Sequence, residues 1–254
     1  MKKMLLCFIA SLALGNAAIS FDGDSHAAEP SGPCLKLGAD ETLGTHYAAF
    51  EKLVTLIYDR AGLCAQSVAM APKRIEQLMK SGELDGDWFR PSEYIATRGL
   101  EQQVVPQALF GLEARLIWLK DKGFSGNAQD LKGMKVGYRS GFRWLETHIP
   151  LMGGIPFAVP GGSQVKALLN HGRIDVYATS SVHALNVVNS FGEDASTLMT
   201  SHWATEPFYH LLQSRHADKI GVLNTTIQSM IKSGELAAQL TMPGIVPVPL
   251  LTQN

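Results

Sequence analysis

The sequence carries almost no net charge, because 22 lysines and arginines stand against 23 aspartates and glutamates in 254 residues. Proteins that bind nucleic acids present a strongly basic surface, so this balance argues against a nucleic-acid partner. A basic run that would attract an anionic membrane surface is also missing. We therefore expect no nucleic acid among the partners of this chain.

Motifs for metal binding and for nucleophilic catalysis are missing as well. The eight histidines are scattered without the spacing of metal ligands, and there is no Gly-x-Ser-x-Gly nucleophile elbow. The chain also has no internal repeat, low-complexity tract or Gly/Ser linker. These absences predict a folded protein that uses neither a metal nor another cofactor.

Only one long hydrophobic run is present, and it lies at the N-terminus. Lys2 and Lys3 precede the apolar segment Met4–Gly15, and Ser25-His26-Ala27 supplies small residues before Ala28. This order of basic, apolar and small residues predicts a secretory signal peptide over residues 1–28, cleaved near Ala27 or Ala28, or earlier near Ala17. A membrane anchor is the alternative, although the run is shorter than the ~20 residues of a transmembrane helix unless it extends to Phe21.

Cysteine is scarce, with three residues in the chain. Cys7 lies inside the predicted signal peptide, so export leaves Cys34 and Cys64. An even number of cysteines in an exported chain predicts a disulfide between them, with two free buried thiols as the alternative.

The first part of the chain beyond the signal alternates between strand and helix patterns. Strands are predicted over 34–40, 64–70 and 83–89, and helices with apolar residues at helical spacing are predicted over 45–62 and 72–82. Pro72 begins the second helix and Gly82 ends it. A β-α-β-α-β order implies a parallel sheet with right-handed crossovers.

A second set of alternating elements follows a long apolar strand predicted over 108–121. It begins with a strand over 134–141 and continues to a final strand over 206–216. A terminal helix over 217–240, interrupted near Gly234, completes the chain. We therefore predict an α/β protein with two lobes, each a mainly parallel sheet flanked by helices, joined by strands.

Three segments carry a resemblance to a known family. They are IEQLMKSGELDGD (75–87), DLKGMKVGYRSG (130–141) and KALLNHGRIDVYATS (166–180). In this order they resemble solute-binding protein family 3, which has the type 2 periplasmic-binding fold. The resemblance implies one lobe from 29–116 plus 207–254 and a second from 117–206. It also implies a monomer in the periplasm, without a cofactor, that delivers a small polar ligand to a membrane ABC permease.

The same comparison shows where this chain differs from the amino-acid binders of the family. Ser180 stands where they usually carry the acidic residue that holds the ligand amine, and Thr97-Arg98 is the nearest match to their Thr-x-x-Arg segment. The resemblance thus implies the fold but does not identify the ligand. A ligand sensor read by a membrane receptor, and a periplasmic enzyme similar to cyclohexadienyl dehydratases, are the alternative functions.

Candidate ligand-binding residues follow from the rule that ligands of two-lobe α/β proteins bind beyond the carboxyl ends of the strands. Arginines recur among them, and a guanidinium group binds a carboxylate through two parallel hydrogen bonds, so an anionic or carboxylate-bearing ligand is expected. The predicted ligand-binding residues are Asp40, Asp87, Trp88, Arg90 and Arg98 in the first lobe, and Arg139, Ser140, Gly141, Phe142, Arg143, Gly162, Ser163 and Ser180 in the second.

Asp85 and Asp87 form a closely spaced acidic pair that has several interpretations. A catalytic carboxylate pair and a metal site are two of them, but no histidine or cysteine accompanies the pair. The simpler interpretation is that Asp85 hydrogen-bonds nearby backbone while Asp87, Trp88 and Arg90 form part of the floor of the ligand site.

Overall fold

The computed structural model describes residues 33–100, 103–140 and 142–250. The predicted signal peptide and Gly141 lie outside these ranges. Within them, no helix combines the length and the apolar character that crossing a membrane requires.

The first lobe begins with the predicted alternation of strands and helices. Strand β1 (Leu35–Asp40) leads through a 3-10 turn into α1 (Tyr47–Arg60), and β2 (Ala65–Met70) precedes α2 (Pro72–Ser81). Gly82 ends α2 in the left-handed conformation, with φ at 77°, which glycine adopts without steric cost. Strand β3 (Gly86–Pro91) and the short helix α3 (Ser92–Ala96) follow.

The second set of elements starts after β4 (Phe110–Leu119). It comprises strands β5 (Lys135–Arg139), β6 (Ile155–Val159) and β7 (Val176–Ser180), and helices α4 (Arg143–Leu151), α5 (Val165–Asn170) and α6 (Ser181–Ser190). Strand β8 (Leu198–Leu212) leads to α7 (Ala217–Lys232), α8 (Glu235–Gln239) and the short strand β9 (Ile245–Val246). Gly234 separates the last two helices in the left-handed conformation, as the sequence predicts.

The strands form one continuous sheet in the order β2-β1-β3-β8-β4-β7-β5-β6, with β9 beside β4. Strands β1, β2 and β3 are parallel, and so are β5, β6 and β7, which confirms the mainly parallel lobes. The long strands β4 and β8 pair antiparallel with each other and connect the two parallel sets. The fold class is therefore the predicted one, while the lobe boundaries given above stay a prediction.

The starts of β8 and β3 are among those that differ from the prediction. Strand β8 begins at Leu198 and not at Glu206, because its first half pairs with β4 although its exposed polar residues hide the strand pattern. Strand β3 begins at Gly86 and not at Glu83, because Gly82–Asp85 form the turn out of α2.

Separate hydrophobic cores lie on the two sides of the β4–β8 pair that connects the parallel sets of strands. One core joins α1 and α7 to the sheet around Leu37, Leu53 and Ile227. Two further cores pack on the β5–β7 region, one around Leu131 and Leu145 and the other around Val165 and Ile174. Each side therefore packs around apolar side chains of its own, as the lobes of a two-lobe protein do.

The predicted disulfide is present between Cys34 and Cys64, whose Cα atoms are 4.4 Å apart. Both residues directly precede neighbouring parallel strands, and the Leu35 N–H donates to the Cys64 carbonyl at 2.9 Å. The bond therefore links β1 to β2 at the edge of the first lobe.

Asp85 hydrogen-bonds to the backbone, as the simpler interpretation of the acidic pair predicts. Its Oδ2 accepts from the Lys36 N–H at 2.8 Å, while its own N–H donates to the Lys36 carbonyl at 2.8 Å. Asp175 makes the same two bonds to Lys135 in the second lobe, each at 2.8 Å. Asp85 and Asp175 thus each join two strand starts in their own lobe.

Arg215 and His216 also contact Asp85, each at 2.7 Å. Burial acts to raise the pKa of Asp85, but the hydrogen bonds from Lys36, His216 and Arg215 outweigh it and lower the pKa to about 2. Asp85 is therefore an ionised structural carboxylate.

Candidate ligand-binding cleft

The carboxyl ends of β1, β3, β5 and β7 open into a cleft with two adjoining chambers. The first chamber, with a volume of about 790 Å³, lies against α3 and the start of α4. The second chamber, with a volume of about 620 Å³, lies against the ends of β1, β5 and β7. Both are lined by Pro72, Arg90, Pro91, Leu112, Phe142 and Phe208, so the two chambers are one cleft with a shared wall.

Most of the predicted site residues line this cleft. Arg98 and Arg143 line the first chamber, and Arg90 and Phe142 line both. The second chamber receives Asp40, Asp87, Trp88, Arg139, Ser140 and Ser180. Gly162 and Ser163 line neither chamber, and their role in ligand binding stays a prediction.

Arg90 occupies the wall between the chambers and is held by Asp87. Its Nε donates to Asp87 Oδ2 at 2.5 Å, and the two side chains are only 14% and 6% exposed. Burial acts to lower the pKa of Arg90, but the attraction of Asp87 outweighs it and raises the pKa, so the guanidinium stays charged. Its Nη2 is buried and has no hydrogen-bond partner among the described residues.

Removing Arg90 would leave the Asp87 carboxylate buried without its cation. Breaking a buried ion pair in this way is costly, because an uncompensated charge remains in the interior. A simple truncation to alanine would therefore change both ligand affinity and stability, and lysine is the better test substitution because it keeps the charge but loses the planar fork.

Arg98 belongs to the same side of the first chamber. Its Nε and Nη2 donate to Glu76 Oε1 at 3.1 and 2.8 Å. The hydrogen bond from Arg98 is the main cause of a lowered pKa of Glu76. The ring of Tyr94 contacts both this arginine and Arg90, with ring-centroid distances of 4.2 and 4.8 Å to the two guanidinium carbons. Sequence analysis did not single out Tyr94, although Arg90, Tyr94 and Arg98 are spaced four residues apart.

Two glutamates, also not predicted, line the first chamber beside α3. Glu206 Oε1 accepts from Ser92 Oγ at 2.6 Å and from the Glu93 N–H at 3.4 Å. Glu93 Oε2 is buried and has no hydrogen-bond partner within the described part of the chain. His148 Nδ1 is 3.9 Å away and donates instead to the Trp144 carbonyl at 2.8 Å. Arg90 and Glu93, which both line the first chamber, therefore each carry one buried polar atom without a hydrogen-bond partner among the described residues.

His183, which was not predicted either, organises the second chamber. Arg139 Nη1 lies 2.6 Å from His183 Nε2, and Ser180 Oγ lies 2.8 Å from Nδ1. Because arginine can only donate, Nε2 accepts, and the proton is on Nδ1. Burial is the main cause of the lowered pKa of His183, with further contributions from Arg139 and from His46. The ring is therefore neutral and connects Ser180 to Arg139.

Aromatic side chains close the first chamber on the side of the second lobe. Trp144 lines it, stacks on His148 with ring centroids 4.2 Å apart, and meets Trp203 edge to face at 5.1 Å. This cluster gives the cleft an apolar wall opposite the charged groups of α3.

Comparison with known proteins identifies the fold. No family model matches the chain, and no curated protein sequence matches it. Among solved structures, a histidine kinase sensor domain with similarity to periplasmic binding proteins is 15% identical, with a TM-score of 0.62 over 85% of this chain and 98% of that one. An ancestral arginine-binding protein bound to glutamine is 19% identical, with a TM-score of 0.57 over 82% and 96% of the two chains.

A third similar structure is an amino acid ABC transporter substrate-binding protein from Streptococcus pneumoniae, bound to L-arginine. It is 17% identical, with a TM-score of 0.52 over 75% of this chain and 81% of that one. Likeness at this level of identity concerns the fold, and membership of solute-binding protein family 3 stays a prediction. The chain has the two-lobe α/β fold of periplasmic binding proteins.

Proposed function

We propose that this protein is an exported solute-binding protein that closes its two lobes on a small polar ligand with a carboxylate group. The observation that carries the proposal is Arg90, whose buried Nη2 lacks a hydrogen-bond partner among the described residues while its Nε is held by Asp87. Because Arg90 lines both chambers, a carboxylate in either one is within the reach of the proposed clamp.

Energetics support a ligand at this position. Leaving a buried polar group unsatisfied costs roughly 1–3 kcal/mol, and more when the group is charged. A ligand carboxylate brought against Nη2 as the lobes close would remove that cost, and the pairing with Asp87 already restricts the guanidinium before binding.

Glu93 indicates the second feature of the ligand. Its buried Oε2 lacks a hydrogen-bond donor within the described residues, and it lines the first chamber together with Arg90. We therefore propose a ligand with a donor group as well as a carboxylate. Two of the similar structures hold glutamine and arginine, which have both groups.

We propose delivery to a membrane ABC importer as the role of the bound form, with the protein monomeric in the periplasm. A sensor read by a membrane receptor is the second candidate, because one of the most similar structures is a histidine kinase sensor domain. Binding without turnover is expected in both cases, and incubation of the ligand with the protein should return it unchanged.

A thermal-shift screen over amino acids, organic acids and polyamines tests this proposal. A ligand at 100 times its Kd stabilises the folded state by about 2.7 kcal/mol. Arg90→Lys should weaken the best compound about ten- to a hundredfold, the cost of a lost charge-assisted contact. Arg60→Lys is the matched control, because Arg60 is 59% exposed and pairs with Glu235 outside the cleft. Equal affinity in the two variants would remove Arg90 from the site.

A further inference from the structure

The Tyr94 ring contacts Arg90 and Arg98 at the wall of the first chamber, and we refer to these three residues as the arginine ladder. The guanidinium carbons of Arg90 and Arg98 lie 4.8 and 4.2 Å from the centroid of the Tyr94 ring. All three residues line the first chamber. A single aromatic ring therefore contacts two cationic groups that both face the cleft.

We propose that Tyr94 is a positioning residue that makes Arg90 and Arg98 one clamp for an oxyanion group of the ligand. The inference rests on the proposed binding function and extends it from one arginine to a coupled pair. Arg90 and Arg98 are then not alternative clamps, because a change at either one alters the other through the shared ring.

The physical basis is the balance of charges around the ring. Two guanidinium groups close to one another repel, but the negative faces of an aromatic ring attract each of them. Each arginine is also paired with its own carboxylate, Arg90 with Asp87 and Arg98 with Glu76, at 2.5 and 2.8 Å. Ring and carboxylate together restrict both long side chains before a ligand arrives, which lowers the entropy cost of binding.

The two arginines differ in how many N–H groups they have left to donate to a ligand. Arg98 gives two of its N–H groups to Glu76, whereas the buried Nη2 of Arg90 has no partner in the described ranges. We expect Arg90 to bind the oxyanion directly and Arg98 to add positive charge and hold the ring in place. Loss of the ring should thus weaken binding without removing either charge.

The first experiment needs no ligand and compares wild type, Tyr94→Phe and Tyr94→Leu. Ring-current shifts of the Arg90 and Arg98 Nε–H signals are measured in the arginine-labelled protein by NMR. Phenylalanine keeps the ring and should keep both shifts, whereas leucine keeps much of the bulk and should abolish both. Unchanged arginine signals in a folded Tyr94→Leu protein would overturn the inference.

The second experiment measures the affinity for L-glutamate and succinate by calorimetry in the same proteins and in Arg90→Lys. Tyr94→Leu should lose about two- to tenfold in affinity, the factor that corresponds to roughly 0.5–1.5 kcal/mol for ordering one long side chain on binding. Tyr94→Phe should retain wild-type affinity. If Arg90→Lys weakens binding and Tyr94→Leu does not, the positioning role of Tyr94 is refuted but the proposed function stands. Unchanged affinity in both variants would refute the clamp itself. If neither acid binds, the NMR comparison still tests the contacts on which the inference rests, and unchanged arginine signals would still overturn it.

Discussion

Acidification from pH 7 to pH 4 should destabilise the protein through one buried histidine in the first lobe. His210 is 3% exposed, its Nε2 lies 2.8 Å from the Tyr58 hydroxyl, and its Nδ1 lies 3.0 Å from the Trp88 carbonyl oxygen. A carbonyl can only accept, so Nδ1 carries the proton and Nε2 accepts from Tyr58, which describes a neutral ring. Burial is the main cause that lowers the pKa of His210 to about 4.

The sign and size of the effect follow from this shift. The unfolded chain binds a proton at His210 below about pH 6.5, while the folded chain resists it down to about pH 4. The stabilisation is therefore complete above pH 6.5 and is lost as the pH falls through this window. A gap of about 2.5 pH units corresponds to about 3 kcal/mol, or roughly 6–12 °C in Tm for a chain of this size.

Urea unfolding followed by circular dichroism at pH 7, 6, 5 and 4 measures this loss. His210→Gln is the control, because an amide can donate and accept but does not titrate. The lowered pKa values of His183 and Asp85 remain in the variant. Asp85 loses its contribution to the free energy of unfolding only below about pH 4. An equally steep loss between pH 6.5 and pH 4 in His210→Gln would refute the assignment to His210.

Three further outcomes test the fold. Replacing both Cys34 and Cys64 by serine should cost roughly 3–4 kcal/mol in the chain-entropy model, and thiol titration of the unreduced, unfolded wild type should find no free thiol from this pair. Gly86→Ala should cost about 1–3 kcal/mol in urea unfolding, because a Cβ there would lie 2.6 Å from a backbone oxygen of β8, whereas Gly221→Ala in open space should cost nothing. Asp175→Ala should cost about 1.5–3 kcal/mol through the lost charge-assisted bond to the Lys135 backbone, and an unchanged midpoint would contradict that role.

The order of elements and the disulfide could be predicted because local signals determine them. Pro72 and Gly82 bound α2 at the predicted residues, and an even number of cysteines beyond the predicted signal peptide led to the pair that the structure joins. The role of Asp85 also followed from local chemistry, because a short acid next to a strand start competes for backbone N–H groups.

The internal organisation of the cleft could not be predicted, because tertiary contacts decide it. Sequence analysis gave Arg90 and Arg98 as separate candidates, since nothing in the sequence shows that Asp87 and Glu76 hold both of them against Tyr94. The start of β8 was missed for a similar reason, as its exposed half is a strand only through pairing with β4.

The most direct test of the central claim combines affinity with shape. Small-angle X-ray scattering should record wild type and Arg90→Lys with increasing amounts of the tightest compound from the thermal-shift screen. The proposed closure predicts a smaller radius of gyration on binding in wild type, and the same change in Arg90→Lys only at about ten- to a hundredfold higher concentration. A compound that binds both proteins equally and leaves the radius of gyration unchanged would contradict the proposal that the lobes close around Arg90.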